Sequence, residues 1–190
     1  MERTMQSTPD KKKIHPHKFA LWIAMGSIIM MFAGLTSAYI VRKAQGNWVT
    51  YHLPVLFWVS TAVILLSSIT MVMSVKSFKN RQMSRFKALM ITTILLGCAF
   101  AVLQYMGFKA LYAQNIRVDG NPSESFLFII AGLHLLHILG GIIALIIVFF
   151  RALRKNVKVY NATALEIAGA YWHFVDVLWI YLFVFFLANQ

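Results

Sequence analysis

The sequence predicts an all-α, polytopic membrane protein, a bundle of five transmembrane helices. Of its 190 residues, 59% are apolar and 13% are charged, and the mean hydropathy is +0.69. A soluble domain of this length needs a larger polar fraction to cover its core. The apolar residues also fall into five runs, each long enough to cross a hydrocarbon layer of roughly 30 Å at about 1.5 Å per residue. Most of the chain is therefore expected inside a membrane.

Residues 1–18 are predicted to be a basic cytoplasmic tail, and residues 19–190 a single five-helix transmembrane domain. The tail contains Lys11, Lys12 and Lys13 without apolar periodicity, as expected of a solvated segment. A signal peptide is the alternative. The apolar run 19–41 is longer than the apolar core of a signal peptide, however, so we expect it to be kept as the first helix.

Four more spans follow along the chain. The second begins beside Pro54, which the first turn of a helix tolerates because an N–H there has no partner in the helix. The connections between the spans are short, which leaves no room for a catalytic domain outside the membrane. The predicted spans are about 53–75, 88–108, 125–150 and 164–187.

The basic residues predict the orientation of the bundle. Most of the 18 Lys and Arg residues lie in the N-terminal tail, between spans two and three, and between spans four and five. Loops rich in Lys and Arg stay on the cytoplasmic side of a membrane. The N-terminus is therefore expected in the cytoplasm and the C-terminus outside. This placement also accounts for the net charge of +12 without nucleic acid, because no basic face is interleaved with aromatic residues.

Ionisable residues lie inside the last two spans. A charged side chain at the bilayer centre costs roughly 2.5–3.5 kcal/mol on insertion scales, so these side chains should turn toward protein. His134 and His137 are three residues apart and share a helix face, and helical geometry puts His173 and Asp176 on one face with Glu166. Because a short connection joins spans four and five, we predict one intramembrane polar layer made of His134, His137, His173 and Asp176.

Three explanations fit such a layer. The side chains can satisfy one another by hydrogen bonds, they can hold a metal or a haem, or they can conduct protons. The only carboxylates nearby are Glu166 and Asp176, far from the Glu and Glu-x-x-His pattern of di-iron bundles. The residues favour the structural explanation, so no catalytic, cofactor-binding or metal-binding residue is predicted.

Small and aromatic residues in the spans indicate packing. Gly140 with Ala144, and Ala164 with Ala168, have the spacing that lets two helix backbones approach closely. Tryptophans in such spans are more often packing or interfacial residues than cofactor partners. They are Trp22, Trp58, Trp172 and Trp179.

Two segments carry a resemblance to a known family. Residues Tyr171–Trp179 resemble the closing signature of subunit III of haem–copper terminal oxidases, with Glu166 placed as the family places a glutamate before it. Residues Gly132–Gly140 resemble the family's Gly-x-His-x-x-His-x-x-Gly segment. Weaker similarities are found at Thr36–Arg42 and at the pair Ser67-Ser68. The resemblance extends over nearly the whole chain.

The resemblance implies the five-helix bacterial form of subunit III, a multi-pass protein of the bacterial cytoplasmic (inner) membrane. Such a chain is a non-catalytic part of a cytochrome c oxidase-type enzyme of aerobic respiration, in which oxygen reduction is coupled to proton translocation. Haem and copper are expected in partner subunit I, and none in this chain. Subunit III is implied to stabilise subunit I, to support proton uptake and to bind structural phospholipid. Its implied partners are subunits I and II, other oxidase subunits and membrane lipids, and membership of a larger respiratory supercomplex is left open.

One position departs from the family pattern. The pattern on helix three is a Gln followed three residues later by a Glu, and here Gln104 is followed by Gly107. Glu166 and Gln104 are accordingly our candidates for support of lipid binding or proton uptake. The alternatives are subunit III of a quinol oxidase of the same superfamily, or a free-standing membrane proton carrier or b-type cytochrome.

Overall fold

The computed structural model describes residues 16–45, 53–114, 122–153 and 162–189. This part of the chain is helical and contains no strand. All five helices are long and apolar enough to cross a membrane, so the predicted all-α, five-span fold class is confirmed. The helices are α1 (Pro16–Lys43), α2 (Val55–Lys79), α3 (Met83–Ala113), α4 (Pro122–Leu153) and α5 (Thr163–Ala188).

Each helix is longer than the apolar span predicted for it. Hydropathy marks the part of a helix inside the hydrocarbon layer, whereas the hydrogen-bonded helix continues into the polar surroundings. Basic residues such as Lys43 and Lys79 therefore belong to the last turns of their helices, where their stems can reach back along apolar surface. Of the predicted basic tail, residues 1–15 lie outside the described residues, and Pro16 begins α1.

A tight turn joins α2 to α3. The N–H of Gln82 donates to the carbonyl of Ser77, and the N–H of Arg81 donates to that of Phe78, both at 3.0 Å. These two bonds satisfy carbonyls at the end of α2 in a Schellman arrangement. Arg81 occupies the left-handed position with φ of 57°, where glycine is the usual residue. The turn makes α2 and α3 an antiparallel pair.

Helices α2 to α5 form a four-helix ring. Each helix of the ring contacts the next, and α5 closes the ring against α2. Among the described helices, α1 contacts only α4 and α5, from outside the ring. Of the five, α5 is the most buried and α1 the least. Helix α5 is therefore the span whose side chains are most enclosed by the other helices.

Trp172 of α5 crosses the interior of the ring and is fully buried. A Cβ atom added to Gly97 of α3 would lie 2.7 Å from the Trp172 ring, and one added to Gly141 of α4 would lie 3.1 Å from it. The indole N–H donates to Oγ of Ser67 on α2 at 3.2 Å. One side chain thus contacts all three other helices of the ring, and the two glycines leave the space that it fills.

Helix α1 is attached to α5 near both of its ends. Toward the C-terminal end of α1, the hydroxyls of Thr36 and Tyr181 lie 3.0 Å apart, and Lys43 Nζ donates to the carbonyl of Asn189 at 3.2 Å. Toward the N-terminal end, Lys18 pairs with Glu166. Between these attachments lies an apolar groove of about 440 Å³, which we call the α1–α5 groove and which is lined by residues such as Phe32, Ala33, Phe174 and Val177.

Candidate functional site

Glu166 lies in the first turn of α5 and joins three helices. Its carboxylate oxygens lie 3.1 Å from Nζ of Lys18 on α1 and 2.7 Å from Nζ of Lys79 on α2. An acidic side chain is also stabilised at a helix N-terminus by the helix dipole. All three side chains are partly exposed, so each ion pair contributes at most about 1 kcal/mol. Their main effect is to fix where these helix ends lie.

A cavity of about 480 Å³ opens beside this ion-pair cluster, between α2 and α5. Lys76, Lys79 and Glu166 line its charged end, and His173, two helical turns along α5, lines its other end. The rest of its wall is formed by the small or apolar residues Val72, Val75, Gly169 and Ala170. We call it the α2–α5 cavity. It leads from the charged end of the bundle to a histidine within a membrane-spanning helix.

Beyond His173 along α5 lies Asp176, a buried side chain whose carboxyl oxygens lack hydrogen-bond partners. Nδ1 of His173 is 2.7 Å from Oγ of Ser68 on α2. Asp176, one turn further along α5, is 2% exposed. Ser68, which contacts His173, is the hydroxyl residue of α2 near this buried carboxyl group.

His134 and His137 of α4 have different surroundings. The His134 ring is fully buried, stacks on Trp179 with 5.3 Å between centroids, and meets the edges of Phe32 and Phe100 at 6.3 Å. Neither of its ring nitrogens has a hydrogen-bond partner. Nδ1 of His137 lies 2.7 Å from the carbonyl of Leu133 in its own helix. These histidines pack among aromatic rings.

The structure brings the predicted polar layer together only in part. Helices α4 and α5 are neighbours, and His173 and Asp176 both approach Ser68 on α2. In the four described ranges, no hydrogen bond connects these two side chains to His134 or His137. The reason is helix rotation, because the face of α5 that carries His173 and Asp176 points to α2. The function of the layer stays a prediction.

The histidines of the predicted layer do not gather into one cluster of ligands. Within the part of the chain that the structure describes, no three His, Cys, Asp or Glu side chains lie close enough to share a metal ion. Aromatic rings lie on three sides of His134. The expectation that this chain binds no cofactor stays a prediction.

Gln104, the other candidate residue, lies inside the ring. It is 2% exposed, and its amide nitrogen donates to Oγ of Ser60 on α2 at 3.0 Å, while its amide oxygen has no partner. This bond joins α3 to α2. Gln104 is not among the residues that line the α2–α5 cavity.

Sequence analysis did not identify the hydroxyl residues of α2 as partners of polar and aromatic side chains on α5. Thr61 accepts a hydrogen bond from the indole N–H of Trp179 at 3.0 Å, and Ser68 contacts His173. Thr61 and Ser67 are six residues apart on α2, and the indoles that donate to them, Trp179 and Trp172, are seven residues apart on α5. Spacings of about two helical turns place each set on one face of its helix. They do not tell which neighbouring helix that face meets.

Comparison with known proteins identifies the family. The family model described as cytochrome c oxidase subunit III matches residues 47–188. The chain belongs to this family. A probable cytochrome c oxidase subunit 3 of Nocardia farcinica is 32% identical over 173 residues, covering 86% of this chain and 82% of the relative. The subunit 3 of Corynebacterium diphtheriae is 31% identical over 175 residues, or 85% of each chain. That of Bacillus sp. (strain PS3) is 26% identical over 167 residues, covering 85% of this chain and 80% of the relative.

The predicted resemblance to subunit III is thus confirmed, and the chain is a multi-pass membrane protein of the cytochrome c oxidase subunit III family. The matched segment contains the whole four-helix ring, α2 to α5, and α1 precedes it. The residues that line the α2–α5 cavity therefore all lie in the segment that the family model matches.

Packing leaves little space for a side chain at Gly107, where the predicted family pattern has a glutamate. A Cβ atom added there would lie 2.9 Å from the ring of Phe57. Phe57 is buried and stacks on Trp179 with 6.1 Å between centroids. In this chain an aromatic ring occupies the space that a side chain at position 107 would need.

Proposed function

We propose that the chain is the non-catalytic subunit III of a respiratory haem–copper oxidase in a bacterial cytoplasmic membrane. It binds subunit I directly and assembles with subunit II and other oxidase subunits, while subunit I holds the haems and the copper. The family match over the complete ring α2 to α5 carries this proposal. The proteins it resembles are named as cytochrome c oxidase subunits. The aromatic packing around His134 supports a structural part for that side chain.

The interior of the ring supports a stabilising role. Trp172 fits between Gly97 and Gly141 and is bonded to Ser67, so the four helices cannot slide past one another without breaking this contact. Side chains in close-packed interiors transmit strain and resist deformation. A rigid apolar body of this kind offers subunit I a surface that needs little ordering on binding.

The charged end of the bundle supports a role in lipid binding and proton uptake. Lys18, Lys76 and Lys79 surround Glu166 there, and positive side chains of this kind attract anionic headgroups. The apolar α1–α5 groove supports binding of an acyl chain beside them. Gln104 is bonded inside the ring, so we assign the supporting role to Glu166.

Purification of the native complex tests the proposed identity. A haem–copper subunit I is expected to co-purify with this chain, and the chain separated from it is expected to show no haem absorbance. Haem absorbance of the separated chain would overturn the proposal in favour of a b-type cytochrome. Purification as a single chain that conducts protons would favour a free-standing carrier. Turnover of the complex with cytochrome c or with quinol distinguishes the two oxidase classes.

Glu166→Gln tests the role of the carboxylate. It removes the negative charge that faces Lys18 and Lys79, so faster turnover-dependent inactivation or a lower content of bound phospholipid is expected. Lys18→Gln is the matched control, because it removes one ion pair and leaves the carboxylate in place. If Glu166→Gln matches the parent complex in inactivation rate and in lipid content, the assignment of Glu166 is wrong.

A further inference from the structure

Asp176 is a buried carboxyl group with a chain of hydrogen-bonding groups between it and an open cavity. We propose that Asp176 is a reversible proton-binding site within the membrane, loaded from the α2–α5 cavity through His173 and Ser68. The inference deepens the proposed role in proton uptake and rests on it for its biological use. Proton binding itself is a property of this chain's own residues.

The surroundings of Asp176 suit a group that exchanges a proton. A structural carboxylate in a protein interior is held by donors that stay in place, from an ion pair or from backbone N–H groups. Asp176 is 2% exposed, yet neither of its oxygens has such a donor. The side chain within reach is the Ser68 hydroxyl, which can either donate or accept a hydrogen bond. A partner of this kind accommodates both the ionised and the protonated carboxyl group.

The 2.7 Å contact between Ser68 Oγ and His173 Nδ1 supplies the next step of the path. In the proposed path, the Nδ1–H of His173 donates to Ser68, and the Ser68 hydroxyl rotates to donate to the ionised Asp176, whose oxygens have no hydrogen-bond partner in the structure. A proton that arrives at Nε2 of His173 forms an N–H bond there, while the Nδ1 proton moves to Ser68 and the Ser68 proton moves to Asp176. The imidazole ends neutral in its other tautomer, and the sum of these steps is one proton gained by Asp176. The reverse steps release it.

The cavity provides the entrance. His173 lines the α2–α5 cavity, and because Nδ1 is bonded to Ser68, Nε2 is the nitrogen available to groups inside the cavity. At the other end of the cavity, Glu166 lies at the surface beside Lys76 and Lys79. A cavity of about 480 Å³ is large enough for several water molecules. Water can therefore connect the charged end to His173.

The other ionisable groups around α5 do not take part in the path from His173 through Ser68 to Asp176. From α2, Lys76 and Lys79 face the cavity at its charged end, and from α1, Lys18 reaches only Glu166 among the described carboxylates. From α4, the titratable side chains His134 and His137 pack against Phe32 of α1, and from α5 the Tyr171 hydroxyl donates to the carbonyl of His137. Between the cavity and Asp176, the groups that can pass a proton are His173 and Ser68.

Infrared difference spectroscopy of the intact oxidase complex containing this chain, reconstituted in lipid vesicles, tests the site with the proton as the ligand. Lowering the pH is expected to produce a C=O stretching band of a protonated carboxyl group, and Asp176→Asn is expected to remove it. Ser68→Ala keeps the carboxyl group but removes its hydrogen-bonding neighbour. It is therefore expected to shift the band and to slow its appearance after a pH jump by about a hundredfold.

Ser67→Ala is the matched control. It removes a hydroxyl from the neighbouring residue, which accepts from Trp172 instead of contacting His173, so it is expected to leave the band and its rate unchanged. Absence of a pH-dependent band that Asp176→Asn removes would overturn the proton-binding site. An unchanged rate in Ser68→Ala would overturn the path through Ser68. Because the band is read without turnover, either result leaves the proposed identity of the subunit intact, and loss of subunit I from the complex would count against that identity alone.

Discussion

The ring α2 to α5 and the outer helix α1 are held in different ways. In the ring, tryptophan side chains of α5 fit against glycines of α3 and α4 and donate hydrogen bonds to hydroxyls of α2. Helix α1 lies outside the ring and adds the buried rings of Phe32 and Tyr39 to the core. Polar contacts hold it to α5 toward its two ends, and the apolar α1–α5 groove lies between them.

The two kinds of contact constrain the helices to different extents. The interior contacts of the ring fix the helices against one another over their whole length, because a side chain that fills a glycine site leaves no alternative position. Helix α1 packs Phe32 against His134 and His137 of α4, while the α1–α5 groove beside it is open to lipid or to another helix. The family match covers the ring and begins after α1. Substitutions in the ring should therefore lower stability more, and affect more helices, than substitutions in α1.

Trp172→Ala is expected to have the largest effect. It removes a fully buried side chain that contacts three helices, and the cavity left behind should lower the free energy of unfolding by roughly 3–5 kcal/mol. Equilibrium unfolding in detergent micelles measures this value. Trp22→Ala is the control, because Trp22 is 69% exposed on α1 and its loss should change the value little. Equal effects of both substitutions would contradict the distinction between ring and outer helix.

Gly107→Glu is expected to have the next largest effect. The new side chain must displace Phe57 from its place against Trp179, which should cost about 1–3 kcal/mol of stability through overpacking. Measurement is by the same unfolding assay. Adding Phe57→Ala to Gly107→Glu empties the contested space, so the double variant should lose less stability than the two single effects added together. Simple additivity would show that the two positions do not compete.

Glu166→Gln should affect the end of α1 and not the ring. Loss of the ion pairs to Lys18 and Lys79 is expected to cost about 1 kcal/mol or less. Hydrogen exchange of amides in the first turns of α1 should become faster, while exchange in α3 stays the same. High salt should produce part of the same change in the parent protein, because it screens exposed ion pairs. Faster exchange throughout α3 would mean that Glu166 also holds the ring.

Tyr181→Phe should have the smallest effect. It removes the hydroxyl that lies 3.0 Å from Thr36, a bond between membrane helices that contributes about 0.6 kcal/mol on average. Faster hydrogen exchange near Thr36 is the expected readout. Tyr105→Phe, at a 67% exposed ring of α3, is the matched control and should leave that exchange unchanged. A large loss of stability in Tyr181→Phe would contradict the small contribution expected of this bond.

The number and order of the helices could be predicted from the sequence, whereas their rotation could not. Apolar runs separated by charged segments predict spans directly, and the family motifs lie within two of those spans. In a membrane helix, however, apolar residues cover the lipid-facing side as well as the interior, so periodicity does not tell which side faces inward. The prediction chose Gly140 as a close-contact residue and was wrong. Gly140 is exposed with nothing near it, and its neighbour Gly141 meets Trp172.

The prediction of the candidate site also lacked the rotation of each helix about its axis. Sequence analysis placed His173 and Asp176 on one face of their helix, and the structure puts that face against α2. Which helix that face would meet depended on rotations that no pattern in the chain specifies. Ser68 therefore could not be named as their common neighbour before the structure.

The fit of Trp172 among Gly97, Gly141 and Ser67 has a consequence for the evolution of the chain. A larger residue at either glycine has no room while the indole stays, and a smaller residue in place of the indole leaves a void beside both glycines. Divergence at any of the four positions is thus acceptable mainly when another changes with it. In an alignment of relatives, these four columns should vary as a linked set, even though 44 residues separate Gly97 from Gly141 along the chain.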